Sequence, residues 1–60
     1  MEVNLIERVI FENSQIRVVE FKNVCFVDEI MDGEVINSSI GMEFEDLNDY
    51  LHDAGYNIVL

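Results

Sequence analysis

Four carboxylates, Glu45, Asp46, Asp49 and Asp53, recur one, three and four residues apart. On a helix, at about 100° per residue, they fall in a single arc about 100° wide along about 12 Å of rise. That gives one anion per about 4 Å, close to the phosphate spacing of about 3.4 Å along one strand of DNA. A row of this kind either engages a basic surface or keeps a helix face solvated. It also works against the helix. Glu45–Asp49 and Asp49–Asp53 are like-charge pairs four residues apart, each destabilising by about 0.2–0.5 kcal/mol. Asp49 and Asp53 stand in the C-terminal half, where the helix dipole disfavours anions. A local rule broken without visible compensation points to function.

The remaining chemistry-bearing residues form no recognisable site. Asp28, Glu29, Asp32 and Glu34 surround Gly33, which invites comparison with a calcium loop. An EF-hand begun at Asp28 would need an oxygen ligand at its third position and a glutamate at its twelfth. Ile30 and Ser39 stand there instead. Zinc requires several His or Cys ligands, and the chain has one of each, His52 and Cys25. Cys25 lies among Val24, Phe26 and Val27 and reads as a small buried hydrophobe. His52 reads as a surface residue beside the acidic arc. Gly33, Gly41 and Gly55 are too dispersed for a phosphate loop. Carboxylate pairs do acid–base work only in a cleft that separates their pKa values, and a chain of 60 residues has little room for one. The reading is therefore non-catalytic, with no cofactor and no metal.

The elements that must carry these residues can be read from periodicity. Val3 to Phe11 alternates, with Val3, Leu5, Val9 and Phe11 on one face, and predicts a first strand. Asn13-Ser14 turns the chain into a second, Gln15 to Lys22. Ile16 and Val18 share one face of it, Val19 and Phe21 the other, so a bulge or burial on both sides is expected. Val24 to Met31 and Glu34 to Ile40 are extended runs joined by Asp32-Gly33, a strong signal for a two-residue hairpin. From 43 to 54 the period becomes helical, with Phe44, Leu47, Tyr50, Leu51 and Ala54 on one side. Gly55 is placed to end that helix. Tyr56 to Leu60 predicts a short closing strand. The expected fold is α+β: a single domain, an antiparallel β-meander of about four strands plus a C-terminal strand, with one amphipathic helix on one face.

Composition supports a folded chain. Val, Ile, Leu and Phe make up 23 of the 60 residues, well above the level at which charged chains stay unfolded. Small cores often gain stability by oligomerising. The single cysteine precludes an internal disulfide. Residues 1–4 show neither a basic leader nor a long apolar run, so a cytoplasmic location is expected, in the host cytoplasm if the chain is phage-encoded.

Charge is the most distinctive property. Thirteen acids and three bases give a net charge of −10. Arg8, Arg17 and Lys22 are the only bases, and residues 24–60 hold nine acids with none. Naked nucleic acid and anionic membranes would repel such a chain, whereas a basic protein surface would attract it. In size, charge and lack of catalytic residues the chain resembles phage-encoded anti-restriction and anti-CRISPR inhibitors, a likeness of character carried by no motif. It implies a viral anti-defence protein and a nucleic-acid mimic that occupies the basic groove of a nucleic-acid-processing or defence enzyme. Glu45, Asp46, Asp49 and Asp53 would make the contact, joined by Asp28, Glu29, Asp32 and Glu34 if they share the helix side. Two alternatives stand beside it. One is an antitoxin-like partner that binds an enzyme away from its nucleic-acid site. The other is a structural or assembly subunit acting through apolar surface. A homodimer is compatible with all three.

Overall fold

The computed structural model describes residues 6–60. Four antiparallel strands form one open sheet in the order β1-β2-β3-β4, with a short helical segment packed on one side. The strands are β1, Arg8–Glu12; β2, Ile16–Phe21; β3, Val24–Met31; and β4, Glu34–Ser38. The class is the α+β fold expected from periodicity. Val3 and Leu5 of the expected first strand lie outside the described residues.

Turn chemistry sets the register. Asn13 Oδ1 accepts hydrogen bonds from the backbone N–H groups of Gln15 and Ile16, both at 2.8 Å, and turns β1 into β2. Lys22-Asn23 joins β2 to β3, with Phe21 opposite Val24. Asp32-Gly33 joins β3 to β4, with Met31 opposite Glu34. All four central residues have positive φ, as type I′ turns require. Asp-Gly was expected at the second hairpin. The first has Lys22 at φ 53°, an unfavourable conformation for a side chain with a Cβ.

The register shifts between Val9 and Phe11, so one residue of β1 is extra. This bulge breaks the alternation predicted for the first strand. Ile10 and Phe11 both pack against the core, while Val9 is exposed. β2 itself pairs with β3 without interruption, and its change of face reflects burial on both sides. Ile16 and Val18 are fully buried on one side, and Val19 is 6% exposed on the other.

Leu47 and Leu51 close the core over Ile16, Val18, Cys25 and Val27. They lie on α1, Leu47–Asp53, which follows a 3₁₀ turn at Phe44–Asp46. The predicted helix of 43–54 is thus two pieces. The tighter 3₁₀ step takes Phe44 out of the apolar stripe, and it is 53% exposed. α1 ends as expected: Gly55 has φ 91° and donates to His52 O, and Tyr56 N–H donates to Leu51 O, the paired bonds of a Schellman motif. Tyr56, Ile58 and Leu60 then pack on the core in alternation. They form no strand. Asn48 replaces the ladder, its side-chain amide exchanging hydrogen bonds of 3.2 and 2.7 Å with the backbone of Leu60.

Gly41 fixes the path from β4 back to the core. Met42 pairs with Cys25 through two backbone hydrogen bonds, 2.8 and 2.9 Å. This brings Gly41 against Val24 and Phe26, where a Cβ would overlap Val24 Cγ1 and lie 3.3 Å from Phe26 Cε1. Gly41→Ala should lower stability by about 1–3 kcal/mol through overpacking, measured as a lower urea midpoint with an unchanged slope.

Candidate acidic interface

The sheet register sorts the acidic residues by side. Val18 stands opposite Val27, Ile16 opposite Glu29 and Glu20 opposite Cys25, so Glu20 and Glu29 face the helix with the core residues. Arg17, Asp28, Val19 and Phe26 face the other way, onto a side of the sheet that no described element covers. Asp28 accepts a hydrogen bond of 2.7 Å from the Ser38 hydroxyl there. Asp32 and Glu34 sit at the β3–β4 hairpin end. The four hairpin acids therefore do not act together. Glu29 shares the helix side, Asp28 is on the opposite side, and Asp32 and Glu34 lie at the tip.

The helical acids are grouped more tightly. Glu43, Glu45, Asp46, Asp49 and Asp53 are all exposed. With Leu47 and Leu51 facing the core, Asp49 lies about 180° and Asp53 about 140° away from their mean direction around the helix. The 3₁₀ turn alters the upstream phase. At about 120° per residue, Asp46 aligns with Asp49 and Asp53, and Glu45 swings towards the flank occupied by Asn48 and His52. The single arc of four becomes a row of three, Asp46, Asp49 and Asp53, with Glu45 and Glu43 beside its upstream end. The Asp46 carboxylate makes no capping hydrogen bond, so it stays available to solvent or a partner.

Counter-charge lies elsewhere in the molecule. Arg8 binds Glu20 at 2.8 Å and Arg17 binds Glu12 at 2.6 Å, both across the β1–β2 pair. Lys22 Nζ lies 5.3 Å from the centre of the Phe21 ring, a cation–π placement. All three bases are thus held on the sheet, and none stands among residues 24–60.

Cys25 is buried, and burial, reinforced by Glu20, pushes its thiol pKa above the ordinary 9.0, opposite to what a nucleophilic thiolate needs. Burial, then the nearby Glu29 and Tyr50, likewise raise the Tyr56 hydroxyl. Tyr56 is half-buried against the core, and Tyr50 is 37% exposed beside the acidic row. Among the described residues, no three His, Cys, Asp or Glu side chains stand close enough to hold a metal ion, and no helix is long and apolar enough to cross a membrane.

The chain matches no family model, no curated protein and no solved structure.

The sequence reading expected a bulge or burial on both sides of β2, but it did not place the apolar residues of β3 on the uncovered side. The signal was present in β2 and β3, whose residues are apolar on both faces at Val18-Val19 and Cys25-Phe26-Val27.

Two solution properties follow. Adding about 0.2 M neutral salt should raise the melting temperature, because the screening length falls below the size of the acidic surface. A flat or falling response would show that the acids are already neutralised. At high pH the raised pKa values of Cys25 and Tyr56 act in one direction. The folded protein keeps protons that the unfolded chain releases around pH 9.0 and 10.0, so the stability these two groups contribute is complete well below pH 9 and is lost as the pH rises through and above it. Cys25→Val should flatten the onset of that loss in urea titrations between pH 8 and 10.

Proposed function

We propose that the protein is a non-catalytic inhibitor that binds a basic surface of a nucleic-acid-processing or defence enzyme through the outer side of α1. Asp46, Asp49 and Asp53 make the central contacts, Glu45 and Glu43 extend them, and Glu29 and the hairpin-tip acids Asp32 and Glu34 contribute at the margin. The observation that carries this reading is the separation of charge: the carboxylates form an exposed row, and the bases are committed to Glu12, Glu20 and Phe21 on the sheet. A charged face kept only for solubility would hold mixed signs, which also stabilise a helix. This face instead retains like-charge pairs and an aspartate in its last turn.

The three aspartates lie within eight residues, about 10–11 Å of helix axis, or about three phosphates of a nucleic-acid strand. Mimicry of so short a stretch suits a groove that grips a few phosphates. The net charge speeds encounter with a cationic target, and affinity falls as salt rises.

The test uses the tagged protein as bait in a lysate of its natural host, washed at low and then high salt, beside the triple variant Asp46→Asn, Asp49→Asn, Asp53→Asn. The expected result is an enzyme retained at low salt, released at high salt, displaced by added nucleic acid and not retained by the variant. The variant should melt at the same or a higher temperature, since it loses only repulsion. Retention of the same partner by the folded triple variant would refute this assignment of the face.

A further inference from the structure

The side of the sheet opposite the helix is apolar, uncovered by any described element and almost free of net charge. Cross-strand register arranges it in rows. Phe21 and Val24 form the first; Val9, Val19 and Phe26 the second; Glu12, Arg17, Asp28 and Ser38 the third; Ile30 and Val35 the fourth. The third row is internally satisfied by the Glu12–Arg17 ion pair and the Ser38–Asp28 hydrogen bond. Val9, Val24 and Val35 are 53%, 37% and 48% exposed. A groove of about 280 Å³ runs between the apolar rows and the polar one, lined by Glu7, Val19, Phe21, Phe26, Asp28 and Ser38. A sheet that is apolar on both sides needs both covered.

We infer that a second copy of this chain covers the open side, giving a face-to-face homodimer with four layers: helix, sheet, sheet, helix. The charge distribution selects this occupant. On the open side Glu7, Glu12 and Asp28 face Arg17 and Lys22, nearly in balance. The helix side carries the acidic row, and two copies brought together there would repel. The open side is the surface on which a chain of charge −10 can meet its own copy with least repulsion. The area suffices. Four strands about 4.8 Å apart and six residues at about 3.3 Å give a flat footprint of roughly 400 Å². Side chains standing off the sheet raise the accessible area above that flat value, towards the roughly 600–1,000 Å² per partner of stable interfaces. The exposed valines of each copy supply knobs for the groove of the other. Among the described residues the core under the helix has six buried side chains, and a core of that size gains stability from such pairing.

The pairing sends both acidic helices outward, on opposite sides of the dimer. It is independent of what those helices bind.

Sedimentation equilibrium on the purified chain tests it, with Val9→Glu/Val24→Glu as the interface variant and Val59→Glu as the control. Val59 is 86% exposed in the C-terminal segment on the helix side. The expected masses are about 14 kDa for the unmodified chain and the control, and about 7 kDa for the interface variant, from a chain mass of 7.0 kDa. Circular dichroism confirms that the variant is folded. A monomeric unmodified chain at 0.1 mM, or a dimer that survives both substitutions in a folded variant, would overturn the proposal. The second result would direct attention to the β4 edge. A separate measurement does not depend on the variant folding. Spin labels on Asp53→Cys, with Cys25 buried, should lie more than about 30 Å apart, from layer spacings of about 10 Å. A shorter separation, or no dipolar coupling, overturns the face-to-face arrangement.

Discussion

Leu47 and Leu51 lie one helical turn apart, and both are fully buried against Ile16, Val18, Cys25 and Val27. Burying a leucine contributes about 1.5–3 kcal/mol. A seven-residue helix cannot form in isolation, because nucleation is unfavourable and too few bonds follow it. It is also opposed by its own aspartates. α1 therefore exists because these two side chains dock. The acidic row, the outward aim of Asp49 and the path of the C-terminal segment follow from that contact. Asn48, between the two leucines, reinforces it by binding the backbone of Leu60.

The molecule separates two kinds of surface across a thin body. One side is anionic and hydrophilic. The other is apolar with its charges nearly balanced. The β1–β2 pair makes this possible, because it holds both arginines in cross-strand ion pairs. Arg17 lies on the open side, and Arg8, on the helix side, is held by Glu20; an arginine free to reach α1 would give the row of aspartates an internal counter-ion and a smaller external field. The cysteine, the histidine and the glycines fit the same division. Cys25 is core, His52 is surface, Gly33 and Gly55 adopt positive φ at turns, and Gly41 makes room for Val24 and Phe26.

The most legible features in the sequence were those with a stereochemical requirement. Asp32-Gly33 and Gly55 announce positive φ, and both were read correctly. Lys22-Asn23 makes the same turn, but lysine carries no such signal, and only Asn23 could have suggested it. The β1 bulge was hidden because Ile10 and Phe11 are both apolar and fit either phase. The helix was legible as a period, but its division into 3₁₀ and α segments was not. A change from 3.6 to 3.0 residues per turn moves Phe44 and Glu45 without altering composition. The acidic row was thus visible in kind and displaced in detail. The split of Asp28 from Glu29 depends on strand parity, which becomes known only when the register is fixed. The closing strand failed because alternation at Tyr56, Ile58 and Leu60 records which side is packed, and not whether a neighbouring strand is there to pair.

The meander order bears on how the chain reaches this state. Every strand pairs with its neighbour in sequence, and two of the three connections are two-residue turns. Few residues separate the partners in each ladder, so the entropy lost on closing each loop is small. Assembly can proceed as a zipper from the turns outward, in the fast range for mixed α/β domains. The helix and the segment after it bring the longest-range contacts, from Leu47, Leu51, Tyr56, Ile58 and Leu60 back to the core of β2 and β3. In that sequence of events the acidic row is the last feature to be organised. The apolar side of the sheet exists before the helix docks, which leaves the half-formed chain with two uncovered faces in place of one.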